Sequence, residues 1–421
     1  MIKRILGKGI SGFISGAFGA IFRMTFGKLA TNKKIRSFSK HYLNYAIIGL
    51  VLVIFTILSL ATPMKASTAL LFQKITVAVI MAVSLSLVVG FLGELSLGHA
   101  GFMSIGAYLG GKVALVLIES GDLKANNMLV FVIALIVGAL CAALCGFIVG
   151  FAALRLRGDY LAIVTLAFGE IVRVIFTNTS SASFGGALGL QSPSFSKKQT
   201  FILVIIGLVL ILLTLFVIQN LLRSKTGRAI TAIRDNEIAA KATGIDVTKH
   251  KLMVFVISAA FAGIAGVLFS YANSPVKADT FDYNYSIEIL VMVVLGGMGS
   301  INGSILSATL ITVLNDKLTV YLTGDNAVFK DLFYSLVLIL LIIYNNAPAL
   351  KGFREKYNFK NLVNKIVKKK HDPSEVTGDA ARWDVVPTKI EMNEVLSTDI
   401  IIDRNSRGDD SADIRERGGT K

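Results

Sequence analysis

The chain has 421 residues, 54% of them hydrophobic and 17% charged, with a formal net charge of +16. A soluble globular domain is about 45–50% apolar and about 25% charged, so this balance excludes an ordinary water-soluble enzyme. Several apolar runs of about 17–25 residues are each long enough, as a helix, to cross a bilayer core of about 30 Å, and they mark an all-α polytopic membrane protein.

In chain order, Met1–His41 comes first, with nine Lys/Arg and no acidic residue. Ile10, Ile14, Ala17 and Ile21 recur at helical spacing, which favours an interfacial amphipathic helix over a cleaved signal. Spans are expected at Tyr42–Thr62, Ala69–Phe91, Ser96–Ile118, Met128–Leu154, Tyr160–Phe176 and Phe201–Leu222. A polar helix follows, then spans at Lys251–Ala272 and Phe329–Tyr344, with a long apolar stretch at Ser286–Leu314 between them. Cys141 and Cys145, four apart on one apolar helix, read as small packing residues rather than a disulfide or metal pair.

Basic residues set the expected topology. With the amino end in the cytoplasm, six crossings return the chain there before Arg223, Lys225, Arg228, Arg234, Lys241, Lys249 and Lys251, and Arg155 and Arg157 also fall inside. Residues 351–370 carry eight basic residues against Glu355 alone. Both basic flanks fit the positive-inside pattern and attract anionic lipid, so the charge requires no nucleic acid. Three simple crossings after Lys251 would strand residues 351–370 outside. The glycines of LGGMGSINGS, Leu295–Ser304, offer a remedy, because they divide Ser286–Leu314 into two arms of about 10 residues, or about 15 Å. Eight full spans plus one broken or re-entrant hairpin are expected, with Gly296, Gly297 and Gly299 at the break. Such breaks are tolerated only where protein or a polar cavity surrounds them, often near a substrate path. Residues 371–421 hold 12 acidic and seven basic residues and too few apolar ones for a core. They are expected to be a largely disordered cytoplasmic tail. The expected organisation is an arm at 1–41, a transmembrane domain at 42–350 containing a cytoplasmic helix at 227–244, a basic segment at 351–370 and the tail.

SKTGRAITAIRDNEIAAKATGID, Ser224–Asp246, alternates small residues with charges between apolar spans. Ala229, Ala232, Asn236, Ala239 and Thr243 would line one face of a helix, with Arg234, Glu237 and Lys241 on another. Glu237 and Lys241 form an i, i+4 pair, Thr226 is a candidate cap, and Gly244 suits the position that ends a helix. The segment fits either a docking surface for a cytoplasmic partner or a solvated connector.

Polar residues inside apolar spans are the other candidates. GELSLGHAGF, Gly93–Phe102, gathers Glu94, Ser96 and His99 among glycines, with Ser104 just beyond. Pathway lining or a gate is one reading, and close helix packing is the other. Glu170 and Arg173 stand at i, i+3 on one span and fit an ion pair that locks helices, or a pathway charge. Asp159 suits a cap. GAYLGGKV, Gly106–Val113, imitates a phosphate-binding loop, but Val113 stands where Ser or Thr must reach Mg²⁺. The four histidines, His41, His99, His250 and His371, form no metal cluster with acids, and no nucleophile–base–orienter set is apparent. Neither catalysis nor a bound cofactor is expected of this chain.

Five blocks resemble permease subunits of ATP-binding-cassette importers, and more closely the branched-chain amino acid permease family. They are Arg228–Ile245, Gly93–Gly111, Arg155–Asn178, Lys251–Phe269 and Ser286–Ala308, in family order between about Thr76 and Pro348. Phe184-Gly185-Gly186 departs from the family's Thr-Gly-Gly, and Pro348-Ala349-Leu350-Lys351 from its Pro-x-Gly-Leu. The resemblance implies a bacterial cytoplasmic-membrane subunit with both termini inside, moving Leu, Ile or Val by alternating access. It further implies two ATP-binding subunits, a second homologous permease and an extracytoplasmic substrate-binding protein as partners, with ATP and Mg²⁺ held by the ATPases. Arg228, Ala229, Ala232, Asn236, Glu237, Ala239, Ala240 and Gly244 would contact the ATPase. Rival readings are a related permease for urea, short amides or nucleosides, a channel or secondary transporter without an ATPase, and a membrane scaffold.

Overall fold

A computed structural model describes residues 66–120, 127–153, 159–193 and 200–321, with isolated helical positions 335, 336, 339 and 343. The chain divides into two units, residues 1–346 and 347–421, and every described residue belongs to the first. The amino-terminal arm, the spans at 42–62 and 329–344, Arg155 and Arg157, the basic segment 351–370 and the acidic tail lie outside the described residues.

Within them the architecture is helical, with no strand beyond an isolated antiparallel bridge between Leu190 and Val276. Helix α1 is Ala66–Ser86, prolonged by a π-helical stretch at Leu87–Leu92. Helix α2, His99–Ile105, passes through a second π stretch, Gly106–Gly110, into α3, Gly111–Glu119. Then come α4, Asn127–Ala153, α5, Asp159–Asn178, and α6, Thr200–Arg223. The polar region forms α7, Lys225–Asp235, and α8, Glu237–Ala242. Helices α9, Val247–Ala272, α10, Tyr283–Gly296, and α11, Ile301–Tyr321, complete the described part.

Six of these segments are long and apolar enough to cross a membrane: Ser67–Leu92, His99–Glu119, Met128–Ala152, Tyr160–Asn178, Ile202–Arg223 and Val247–Ala272. They match six of the expected spans to within a few residues. The Gly106–Val113 stretch that imitates a phosphate loop lies inside the second of them, buried except for half-buried Leu109, Lys112 and Val113.

The bundle is assembled around close backbone approaches. A Cβ at Gly106 would fall 2.2 Å from the Gly263 carbonyl oxygen, one at Gly263 2.7 Å from that of Gly138, and one at Gly266 2.0 Å from that of Met103. Lipid removes the hydrophobic drive for helices to associate, and small residues recover it as van der Waals contact between backbones. Helices α2, α4 and α9 therefore meet at glycines. Away from that seam α4 exposes Leu140, Leu144, Phe147, Ile148 and Phe151, an apolar face suited to lipid. Cys141 and Cys145 are half-buried free thiols.

The glycine break is present, but the two arms are not the half-bilayer pair expected, and six of the eight expected full spans are seen among the described residues. Gly297 and Gly299 have φ of 91° and 82° and interrupt the chain between α10 and α11. The arms are 14 and 21 residues, or about 21 and 31 Å, rather than two of 10. Helix α11 is long enough to cross, but Asn302, Ser304, Ser307, Thr312, Asn315 and Asp316 make it too polar to count among the six apolar spans. Gly303 lies against Gly296, where a Cβ would meet the Gly296 carbonyl oxygen at 1.7 Å, and the Ser307 hydroxyl donates to the Met292 carbonyl.

Candidate functional site

The polar segment differs from a single helix at one residue. Asn236 has φ −159° and ψ 107°, so α7 stops at Asp235 and α8 starts at Glu237. The Asn236 side chain accepts from Ala239 N at 3.0 Å, and this local capping bond competes with helix continuation. The small-residue stripe from Ala229 to Thr243 consequently does not lie along one rod. The amino-terminal cap is Ser224, not Thr226: Ser224 Oγ accepts from Gly227 N at 3.2 Å. Gly244, at φ 84°, ends α8 in the left-handed region as expected, because an L side chain pays steric strain there.

Helix α7 is amphipathic rather than fully water-facing. Ile230 and Ile233 are buried, while Arg228 is exposed and Ala229 and Ala232 are half-buried. On α8, Ala240 packs inward and Asn236, Ala239 and Gly244 face out. Ile238 is 79% exposed on this otherwise polar turn, and the sequence reading passed over it. A single exposed isoleucine is ordinary on a protein surface, and it fits a contact surface and a solvated connector alike.

Three regions separated in sequence meet beneath this segment. Lys251, near the start of α9, is buried; its Nζ donates to Glu237 Oε2 at 3.0 Å and to Glu94. Glu237 also accepts from Lys241 at 3.0 Å. Two cations and two carboxylates thus balance, which is what makes burial of the Lys251 ammonium tolerable. Lys241, and then Lys251, hold the Glu237 carboxyl below its ordinary value of 4.5 against the opposing effect of burial. The second link is Arg234, whose Nη1 donates to the Gly90 carbonyl at 3.1 Å. Its side chain packs on Gly93, where a Cβ would fall 2.7 Å from Arg234 Cγ, and Gly299 lies beside the same guanidinium. Gly90 and Gly299 are themselves in contact, since a Cβ at Gly90 would sit 2.6 Å from Gly299 N. The exposed segment therefore touches both backbone breaks, the one after α1 and the one between α10 and α11.

The break at 93–98 is held on its other sides as well. Leu97 N donates to Thr165 Oγ1 at 3.0 Å and Ala100 N to Ser286 Oγ at 3.2 Å. His99 is buried with Nε2 2.8 Å from Ser84 Oγ, and that hydroxyl donates to the Met81 carbonyl at 2.9 Å. Ser96 and Ser104 are buried, and their hydroxyls have no hydrogen-bond partner among the described residues. Glu94 and Ser96 thus lie in one break, with His99 at the start of the helix that follows it, and Gly296 ends α10 where Gly297 opens the loop that contains Gly299.

Glu170 and Arg173 stand apart from this cluster. They pair at 2.8 Å, and Arg173 Nη1 also donates to Asp279 Oδ1 at 3.2 Å. That ties α5 to the 3₁₀ turn Ala278–Phe281 that leads into α10, the geometry of a helix lock. Among the described residues no three His, Cys, Asp or Glu side chains are grouped to hold a metal.

The profile of a family described as branched-chain amino acid transport system / permease component matches residues 67–343. The chain is 35% identical to the high-affinity branched-chain amino acid transport permease LivM of Escherichia coli, over 74% of this chain and 77% of that protein. It is 28% identical to a probable branched-chain amino acid permease LivM of Methanocaldococcus jannaschii, over 64% and 89% respectively. It is also 27% identical to the ribose import permease RbsC of Escherichia coli, over 66% and 84%. No solved structure matches.

Proposed function

Because the chain belongs to the branched-chain amino acid transport permease family, we propose that it carries Leu, Ile and Val inward by alternating access, powered by two separate ATP-binding subunits, one of which docks on 228–244. A second permease half would complete the membrane passage, and an extracytoplasmic binding protein would deliver the substrate. ATP and Mg²⁺ would sit on the ATPases. Both termini would lie in the cytoplasm, as the basic flanks argue.

The observation that supports this reading best is the double link beneath the polar segment. Glu237 joins α8 to Lys251 and so to Glu94, and Arg234 joins α7 to Gly90 and Gly299. A partner that pulls on 225–242 bears directly on the two breaks, where backbone is least constrained by helical hydrogen bonds. A partner shifts a conformational equilibrium only by its differential affinity for the two states. Contacts that differ between the states must therefore cross from the docking surface into the membrane, and these residues supply such a route.

The test is co-expression with the neighbouring ATPase, permease and receptor genes, followed by purification through a tag on this chain and uptake by proteoliposomes. Import of labelled leucine that requires ATP and the receptor supports the proposal. Import of ribose, or import without any ATPase, defeats it.

A further inference from the structure

Resting on that proposed cargo, we infer that a cavity between α1, α10 and α11 binds the amino acid itself, recognising it as a zwitterion with an aliphatic side chain. The cavity has a volume of about 310 Å³, at the small end of the roughly 300–1,000 Å³ typical of ligand pockets. None of its charged residues belongs to the link beneath the polar segment.

Each helix turns one face to the cavity, at helical spacing: Lys74, Val77 and Ala78 from α1, Glu288 and Met292 from α10, and Thr312, Asn315 and Asp316 from α11. The chain directions sort these residues. Gly90 meets Gly299, so α1 runs toward that contact and α11 away from it. Going toward the contact, α1 passes from Lys74 to Val77 and Ala78, α10 passes from Glu288 to Met292, and α11 in reverse passes from Asp316 and Asn315 to Thr312. Away from the contact the cavity is therefore charged on all three helices, with Tyr285, Thr319 and Phe269 of α9 also in its lining, and toward the contact it is small or apolar.

The charged end has both signs within reach of one small molecule. Lys74 Nζ lies 2.9 Å from Asp316 Oδ1, and Asn315 Nδ2 donates to Glu288 Oε1 at 3.2 Å. The Lys74 side chain remains half exposed, so its ammonium can take a second acceptor. A carboxylate placed on Lys74 leaves an α-ammonium near Asp316 and Glu288, and directs the side chain toward Val77, Ala78 and Met292. Valine, leucine and isoleucine have this form, whereas ribose has neither charge. Ionisable groups among apolar helices are costly to keep and are candidates for a substrate path. The helices that build the cavity also end at Arg234, so the site lies on the elements that the docking segment grips.

The test is equilibrium binding of labelled leucine to the purified complex of permease and ATPase subunits without the binding protein, which holds leucine itself, with two competitors that each lack one charge, isopentylamine and 4-methylpentanoate. Lys74→Met is expected to weaken leucine at least tenfold while leaving isopentylamine unchanged, and Asp316→Asn to weaken leucine while leaving 4-methylpentanoate unchanged. The exchange Lys74→Asp with Asp316→Lys preserves the pair and controls for folding, and it is expected to remain defective. Unaltered leucine binding in the single variants, or recovery in the exchange, overturns the inference and leaves a structural ion pair. Absence of leucine binding to the wild-type complex overturns it too, and leucine uptake by the same preparation in proteoliposomes, with ATP and the binding protein added back, distinguishes that result from a wrong cargo.

Discussion

Lys251 and Glu237 meet at 3.0 Å beneath the exposed helical turn 237–242, while the same lysine reaches Glu94 across 157 positions of sequence. One buried ammonium thereby joins a surface segment, a transmembrane helix and a break in the bundle. Removing one member of a buried charge pair usually costs about 3–5 kcal/mol, because the remaining charge is left without compensation. Lys251→Met is expected to lower the melting temperature and to abolish receptor-stimulated ATP hydrolysis. The triple variant Glu94→Gln, Glu237→Gln, Lys251→Met is expected to regain most of the stability without the stimulation. Melting curves and ATPase assays on the same preparations check both parts.

Ile238 offers a different handle. It is 79% exposed, so its replacement disturbs little packing. Ile238→Asp is expected to leave the fold intact and to weaken ATPase attachment by at least about 2 kcal/mol, roughly thirtyfold, as loss of an interface hot spot does. Pull-down through a tag on this chain, at graded ATPase concentrations, measures it.

Acid should act through Glu237. Its carboxyl is held below the ordinary value by Lys241 and Lys251, so the folded protein binds a proton there more weakly than the unfolded chain does. Its contribution is then complete at pH values above the unfolded pKa and is lost as pH falls through the lowered folded value. The stability difference between wild type and Glu237→Gln should be constant near neutrality and vanish under acid conditions below 4.5. Thermal unfolding across that range decides it, and a difference that grew with acidity would contradict the sign.

Glycines at helix contacts and at turns should respond differently. At Gly106 a Cβ would fall 2.2 Å from the Gly263 carbonyl oxygen, so Gly106→Val is expected to prevent assembly of α2 on α9. Gly244 has nothing within 4 Å of an added Cβ, so Gly244→Ala meets only the strain of φ 84°, about 1–2 kcal/mol. Expression level and monodispersity after detergent extraction separate the two.

Much of this was readable from the sequence, for reasons that differ by element. Long apolar runs such as Met128–Leu154 declare themselves by length, and Glu170 with Arg173 by helical spacing. The hairpin was legible because Gly297 and Gly299 interrupt an apolar stretch, although the polarity of α11 hid its length. The break at Asn236 was missed because helical periodicity carries smoothly across it. Asn followed by Glu is a capping signal, and here the side chain won locally. Lys251 was counted with the surface basic residues, since only tertiary packing brings Glu94 to it. Lys74 and Asp316, 242 positions apart, give no signal in sequence that they share a cavity.

The claim most exposed to test is that force on the docking segment reaches the membrane through Arg234 and Lys251. In proteoliposomes containing the whole complex, the variant Arg234→Ala, Lys251→Met should retain bound ATPase and basal hydrolysis, yet lose both receptor stimulation and leucine import. Import at the wild-type number of substrates per ATP hydrolysed, with both side chains gone, would contradict the account.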